Sequence, residues 1–345
     1  MTLSATPDQY GTTERNAMDV LLPGLSEIES AARLIYRSMP ATPQYSWPLM
    51  NARAGAEIWI KHENHTPVGA FKIRGGLVYM DWLRRERPEV KTVVSATRGN
   101  HGQSMAFAAA QYGVRVVIVV PFGNSVEKNR AMRALGAELI EFGEDFQEAT
   151  EHAQLLEREN GWHRVPSFDL RLVTGVATYA LELFRACPQL DTIYIPIGMG
   201  SGVCGTIAAR NALGLATKVV GVVSSHAPAS ALSFAAGEVI EHEAATVIAD
   251  GVACRTPDAA ALKVMMAGMD RIVMVDDDEV KDAMRAYFAD THNVAEGAAG
   301  LGLAALLKDR AAGGERVGTV LTGGNVNSDV FGKVLGESYV ESSVG

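Results

Sequence analysis

Short runs of β-branched residues alternate along the chain with alanine-rich stretches whose apolar positions recur at helical spacing. The runs expected as strands are Ile58–Lys61, Thr92–Ser95, Arg115–Val120, Glu138–Phe142, Thr192–Ile197, Lys218–Val223, Arg271–Val275 and Gly318–Thr322. Between them the pattern predicts helices over Gln103–Tyr112, Ser125–Leu135, Phe146–Asn160, Val176–Cys187, Asp277–Ala289 and Ala298–Ala311. Such alternation implies an α/β fold with parallel sheets covered by helices on both faces. The pattern alone does not separate one large doubly wound sheet from two smaller ones. In either case active groups are expected beyond the carboxyl ends of strands, where helices begin. Residues 1–25 read as a loosely held N-terminal arm.

Composition narrows the class. With 345 residues, 48% of them hydrophobic, two domains with sizeable cores are possible. The net charge of -9 removes the basic footprint that nucleic acid requires. The three cysteines, Cys187, Cys204 and Cys254, show no CxxC spacing, so reduced thiols are expected and a zinc framework is not. The polar N-terminus carries no signal peptide pattern, and the longest apolar run, residues 114–122, is strand-sized. A soluble cytoplasmic protein without membrane partners is the expectation.

Four places carry chemistry. In HENHTPVGAFKIRGG, residues 62–76, Lys72 sits between Phe71 and a pair of glycines. A lysine on a half-apolar helical stretch is ordinarily a solvated surface residue. After the strand ending near Ser95, Thr97-Arg98-Gly99-Asn100-His101-Gly102 forms a polar turn that brings backbone amides and an amide side chain together. Taken alone it is equally an ordinary turn with Asn100 as helix cap. After the strand ending near Ile197, four glycines fall among the eight residues 198–205, a pattern that wraps a phosphate at a helix N-terminus. Gly200–Gly205 also satisfies GxGxxG. The next strand, however, ends in Ser224-Ser225-His226 without the acidic ribose ligand of a dinucleotide site, so a lone phosphate fits better. The fourth place is Thr322-Gly323-Gly324-Asn325, again at a strand end.

A reactive lysine, an asparagine loop, a phosphate cup and a strand-end hydroxyl are the parts that hold pyridoxal phosphate. From about Ser26 onward the chain resembles the fold-type II, tryptophan synthase β-like, pyridoxal-phosphate enzymes, and among them the serine/threonine dehydratase and serine racemase group. The family's SFKxRGA appears as Ala70–Gly76, its SSGNHGQ as Thr97–Gln103, its GGGGL cup as Gly198–Gly202 and its SGGN as Thr322–Asn325.

The resemblance implies two doubly wound domains with mainly parallel sheets and the cofactor, pyridoxal 5'-phosphate, in the cleft between them. Residues 1–90 with 170–345 would form the larger domain and 91–169 the smaller. Lys72 is implied as the lysine that binds the cofactor aldehyde and as the catalytic base, with Phe71 beside the cofactor and the following glycines opening space for it. Asn100 would meet the ring hydroxyl, Gly198, Met199, Gly200, Ser201 and Gly202 the phosphate, and Thr322 the ring nitrogen. Thr97, Arg98, Gly99 and His101 would face the substrate, and Glu296 matches a family glutamate near the ring. The implied activity is α,β-elimination from a β-hydroxy-α-amino acid, giving a 2-oxo acid and ammonia. A β-replacing synthase, a racemase and, from another class, a non-catalytic nucleotide-binding protein are the alternatives. A homodimer or homotetramer is expected.

Departures from the pattern refine this. Arg98 stands where racemases carry a serine base, and arginine stays protonated, which disfavours racemisation; turned into the pocket it would clamp an acidic substrate such as 3-hydroxyaspartate, and turned outward it would form an ordinary surface salt bridge. Val176 and Ala177 replace a polar pair, which makes that side of the site apolar and admits an aryl serine. Ser224–Ser230 lacks both carboxylates of the family's cation site, so no metal is expected. Ala70 replaces a serine. The chain runs only a short way past the fourth motif, and feedback control by an appended regulatory domain is not expected.

Overall fold

The structure, a computed structural model, describes residues 22–336. All but the last four residues of the expected N-terminal arm lie outside the described residues. The strands are β1 (Gln44–Ser46), β2 (Glu57–His62), β3 (Thr92–Ala96), β4 (Arg115–Val120), β5 (Glu138–Glu141), β6 (His163–Arg164), β7 (Thr192–Pro196), β8 (Lys218–Ser224), β9 (Arg271–Val275) and β10 (Arg316–Leu321). They form two sheets, a six-stranded one of order β1-β2-β10-β7-β8-β9 and a four-stranded one of order β5-β4-β3-β6. Only the β1–β2 pair is antiparallel, so the α/β class and the parallel pairing are as the alternation predicted.

Caps explain where helices differ from their expected spans. Phe146–Asn160 matches its expected range: the Asp145 carboxylate accepts from Glu148 N–H and Gly161 closes the end at φ +65°. The helix expected from Val176 begins instead at Leu170, because the Asp169 side chain caps it through Arg171 N–H. The helix Asn100–Ala110 likewise starts before Gln103, at the asparagine itself. Helices over Leu25–Ile35, Pro48–Ala54, Ser201–Ala212, Ala229–Ala236, Ala259–Gly268 and Ser328–Gly336 are additional to the expected set.

Lys72 opens the helix Lys72–Glu86, which packs between Asn100–Ala110 and Leu170–Ala186. Its apolar face, Ile73, Leu77, Met80 and Leu83, joins Val93, Val116 and Ile118 of the smaller sheet in one core. The glycines after Lys72 do not open cofactor space, contrary to expectation. A Cβ on Gly76 would lie 2.2 Å from Ser104 Oγ, one on Gly75 would lie 2.9 Å from the Leu172 carbonyl, and one on Gly175 would lie 2.2 Å from the Arg74 carbonyl. They are bare so that three helices can cross in contact.

Candidate active site

Four carboxyl-terminal strand ends converge here, as expected of open parallel sheets. The loop before Lys72 is fastened to the loop after β10. Phe71 N–H donates to the Thr322 carbonyl at 2.9 Å, Gly324 N–H to the Gly69 carbonyl at 2.9 Å, and Ala70 bridges to Gly323. Within the loop the Thr66 hydroxyl both donates to the Ala70 carbonyl and accepts from its N–H. Ser104 Oγ then holds the Lys72 carbonyl at 2.6 Å. The backbone that carries Lys72 is therefore fixed from two sides.

The Lys72 amine donates to Ser201 Oγ at 3.2 Å and sits 5.0 Å from the Phe71 ring centre. Burial pushes it down from 10.5 to about 8, with Glu296 pulling weakly the other way. Ser201 begins the helix Ser201–Ala212, and Gly200 before it has φ +100°, a conformation that favours glycine. A Cβ on Gly200 would stand 2.8 Å from Ala261 Cβ, and one on Gly198 would stand 3.1 Å from the Gly251 carbonyl. Tyr179 OH donates to the Gly202 carbonyl at 2.9 Å, and its ring meets Phe71 edge-on. Met199 lies against Cys254, sulfur to sulfur at 3.3 Å.

On the facing side, the Asn100 amide donates to Glu296 Oε1 at 2.7 Å, while its Oδ1 accepts from Asn325 at 2.9 Å. Glu296 occupies the N-cap of the helix Gly297–Lys308 yet makes no side-chain cap bond, so its carboxyl serves the cleft. Burial pushes that carboxyl up to about 7, against the pull of Lys128. Gly323 is bare because a Cβ there would stand 2.6 Å from Glu296 Oε1.

In the Thr97–His101 turn, Thr97 Oγ1 accepts from Gly99 N–H at 3.1 Å. His101 is buried with no partner on Nε2, and burial with the nearby Lys72 pushes it down to about 3, which leaves a neutral imidazole. Arg98 is half-buried and its Nε is enclosed without a hydrogen-bond partner. Thr322 is buried at the end of β10. Val176 and Ala177 do not line the cleft as expected. They are 1% and 0% exposed and pack beneath Gly205 in the core.

Sequence reasoning missed four residues. Asn325 orients Asn100. Lys128 and Asp250 join at 2.7 Å across the cleft mouth, the first from the start of the helix Val126–Ala134 that follows β4, the second from the short 3-10 turn Asp250–Val252. Arg74 is the fourth. It pairs with Glu63 at 2.7 Å and with Glu182 at 2.7 Å, beneath the site. The position of Lys128 after a parallel strand was the available signal; the irregular stretch around Asp250 carries none. Among the described residues no group of three or more His, Cys, Asp or Glu is arranged to hold a metal. A surface depression of about 730 Å³ lies at the amino ends of β7, β8 and β10, on the far edge of the sheet.

These residues fit pyridoxal phosphate. The bare-backbone cradle at Gly198–Gly202 opens a helix, the desolvated amine points at it, and Asn100 keeps a second amide hydrogen free of Glu296. Comparison with known proteins agrees. A family model described as pyridoxal-phosphate dependent enzyme matches residues 36–323. An L-threonine ammonia-lyase of Thermotoga maritima is 30% identical over 92% of this chain and 79% of its own length. A biosynthetic L-threonine dehydratase of Escherichia coli is 32% identical over 85% of this chain, which spans only 58% of that relative. An L-threo-3-hydroxyaspartate ammonia-lyase of Saccharomyces cerevisiae is 30% identical over 92% of this chain and 97% of its length. The structure of maize serine racemase superposes with a TM-score of 0.83 at 27% identity, covering 90% of this chain and 96% of the other.

Proposed function

The chain belongs to the pyridoxal-phosphate dependent enzymes, and from that premise we propose that it is an ammonia-lyase, acting on a β-hydroxy-α-amino acid of the threonine and serine kind. The observation that carries this reading is the Lys72 amine: enclosed, without a carboxylate partner among the described residues, and directed at the start of a glycine-edged helix. The three ammonia-lyase and dehydratase relatives point to elimination.

When bound, pyridoxal phosphate supplies an aldehyde that takes up an amine and a ring that accepts the electron pair left at Cα. In our reading Lys72 Nζ would hold the aldehyde, and the same amine, when free, would take the Cα proton as general base. An amine brought down to about 8 is accessible in its neutral form near neutrality, whereas one at 10.5 is not. Gly198, Met199, Gly200, Ser201 and Gly202 hold the phosphate with the helix N-terminus. Asn100, oriented by Asn325, would meet the ring hydroxyl, Phe71 would flank the ring, and the Thr322 hydroxyl would face its nitrogen. A hydroxyl there does not enforce a charged ring, which suits prompt loss of the β-substituent. Thr97, Gly99 and His101 hold the substrate carboxylate. Glu296 keeps a proton on its carboxyl near neutrality, within reach of Asn100. Overall the Cα–H and Cβ–O bonds break, the hydroxyl leaves as water, and the released enamine hydrolyses to a 2-oxo acid and ammonia.

A racemase is the second reading, favoured by the maize serine racemase superposition. Arg98 opposes it, since a guanidinium does not act as the second base. The core position of Val176 and Ala177 removes the support for an aryl serine.

We further propose a division into 1–90 with 170–345 and 91–169, supported by the two sheets, with the helix Lys72–Glu86 packed on the smaller one. A homodimer or homotetramer and a cytoplasmic location complete the proposal; among the described residues no helix is long and apolar enough to cross a membrane. The test is a screen of the purified holoenzyme over β-hydroxy amino acids, following 2-oxo acid and, in parallel, D-enantiomer. Oxo acid release supports the lyase, and enantiomer alone supports the racemase.

A further inference from the structure

Three cations and two carboxylates meet at the cleft: Lys72, Arg98 and Lys128 against Asp250 and Glu296. Asp250 is taken by Lys128 at 2.7 Å. Glu296 accepts from Asn100 and is pushed up to about 7, which leaves it a weak counter-charge near neutrality. Arg98 has neither ion pair nor side-chain hydrogen bond among the described residues, and its Nε is enclosed. Beside it, the aliphatic stem of Lys128 packs on Gly99, where a Cβ would stand 2.8 Å from Lys128 Cδ, and its ammonium takes Asp250, so neither carboxylate of the cleft is left to pair with the guanidinium. Arg98 shares its turn with the backbone amides of Gly99 and Asn100.

We propose that Arg98 is a specificity residue whose guanidinium binds a second substrate carboxylate, so that the preferred substrate is an acidic β-hydroxy-α-amino acid such as 3-hydroxyaspartate. The proposal rests on the lyase reading above and names the substrate class for that same site. A planar fork with several donors matches a carboxylate in two parallel hydrogen bonds. An enclosed, unpaired donor disfavours any ligand that leaves it unpaired, and a methyl or hydroxymethyl side chain does so. The other anion in reach of the cleft, the cofactor phosphate, is served by the glycine cradle and the helix start at Ser201.

The test compares the wild-type holoenzyme with Arg98→Gln and Arg98→Lys on 3-hydroxyaspartate and on threonine. Wild type should favour 3-hydroxyaspartate in kcat/KM. Arg98→Gln should lose roughly 30-fold or more on 3-hydroxyaspartate and only a few-fold on threonine. Arg98→Lys, which keeps the charge without the fork, should fall between. Equal losses on both substrates would overturn the proposal and assign Arg98 to the common α-carboxylate. A weakened hold on pyridoxal phosphate, read from its absorbance on dilution, would overturn it in favour of the phosphate. A wild type that prefers threonine would overturn it as well. Should no hydroxy amino acid release an oxo acid, the lyase reading fails separately. Calorimetry with succinate against butyrate then decides the anion subsite: no preference for succinate in wild type overturns it, and a preference lost in Arg98→Gln upholds it.

Discussion

Lys61 and Lys72 flank the same loop and both are pulled down by burial, yet they sit in opposite surroundings. Lys61 donates to Glu182 at 2.6 Å, to the Thr42 carbonyl at 2.6 Å and to Gln44 at 3.0 Å. Its neighbour Arg74 is fully enclosed, bonded twice to Glu63 and twice to Glu182, with Thr178 and Thr42 taking further donors. Two cations and two carboxylates close on one another, and Tyr36 adds a hydroxyl to Glu182. Lys72 has one hydroxyl at 3.2 Å and no carboxylate in contact. A buried charge with every hydrogen bond made holds the fold in one arrangement. One left nearly bare is primed to lose its proton. The satisfied network lies directly beneath the reactive amine and fixes the helix that carries it.

That contrast breaks most visibly at Lys72. Lys72→Ala should abolish the pyridoxal phosphate absorbance and cut turnover by at least ~1000-fold, while the unfolding midpoint of the cofactor-free protein stays close to wild type. A loss of structure to match the loss of turnover would mean that Lys72 belongs with Lys61. Glu182→Ala tests the other half. It strips a carboxylate from two enclosed cations and should destabilise the protein by about 3–5 kcal/mol, read from denaturant unfolding.

Glu296 gives a smaller effect with a defined sign. Its folded carboxyl is raised to about 7 from 4.5 in the unfolded chain, so the folded state holds a proton that the unfolded state has released. Folding is therefore penalised above pH 7, and the penalty is relieved as pH falls from 7 toward 4.5. In cofactor-free protein, Glu296→Gln should come close to wild type near pH 5 and exceed its stability by roughly 3 kcal/mol at pH 8. The smallest expected change is on chelation. Dialysis against EDTA should leave activity as it was, and a loss restored by magnesium or calcium would reveal oxygen ligands outside Ser224–Ser230.

The sequence made the frame legible and hid the network. β4 coincides with its β-branched run because a buried parallel strand is apolar almost throughout, and β9, a half-buried edge strand, keeps the same β-branched character. β1 and β6, three and two residues long, carry too little pattern to read. Lys72, Asn100 and Ser201 were visible because each begins the helix that follows a strand, where local glycine and cap chemistry shows, whereas Glu296, between the helices Asp277–Thr291 and Gly297–Lys308, was visible only through the family resemblance. The Arg74–Glu182 pair spans 108 positions and left no local trace. The two glycines after Lys72 were visible but misread: they answer to helix crossings that only the folded chain creates.

The most direct measurement is reductive labelling of the holoenzyme with borohydride, followed by peptide mapping. This fixes pyridoxal phosphate to whichever lysine holds it. The account predicts label on the peptide containing Lys72 alone, with Lys61 silent behind Glu182 and Gln44. Label on Lys61, Lys128 or any other lysine would contradict it.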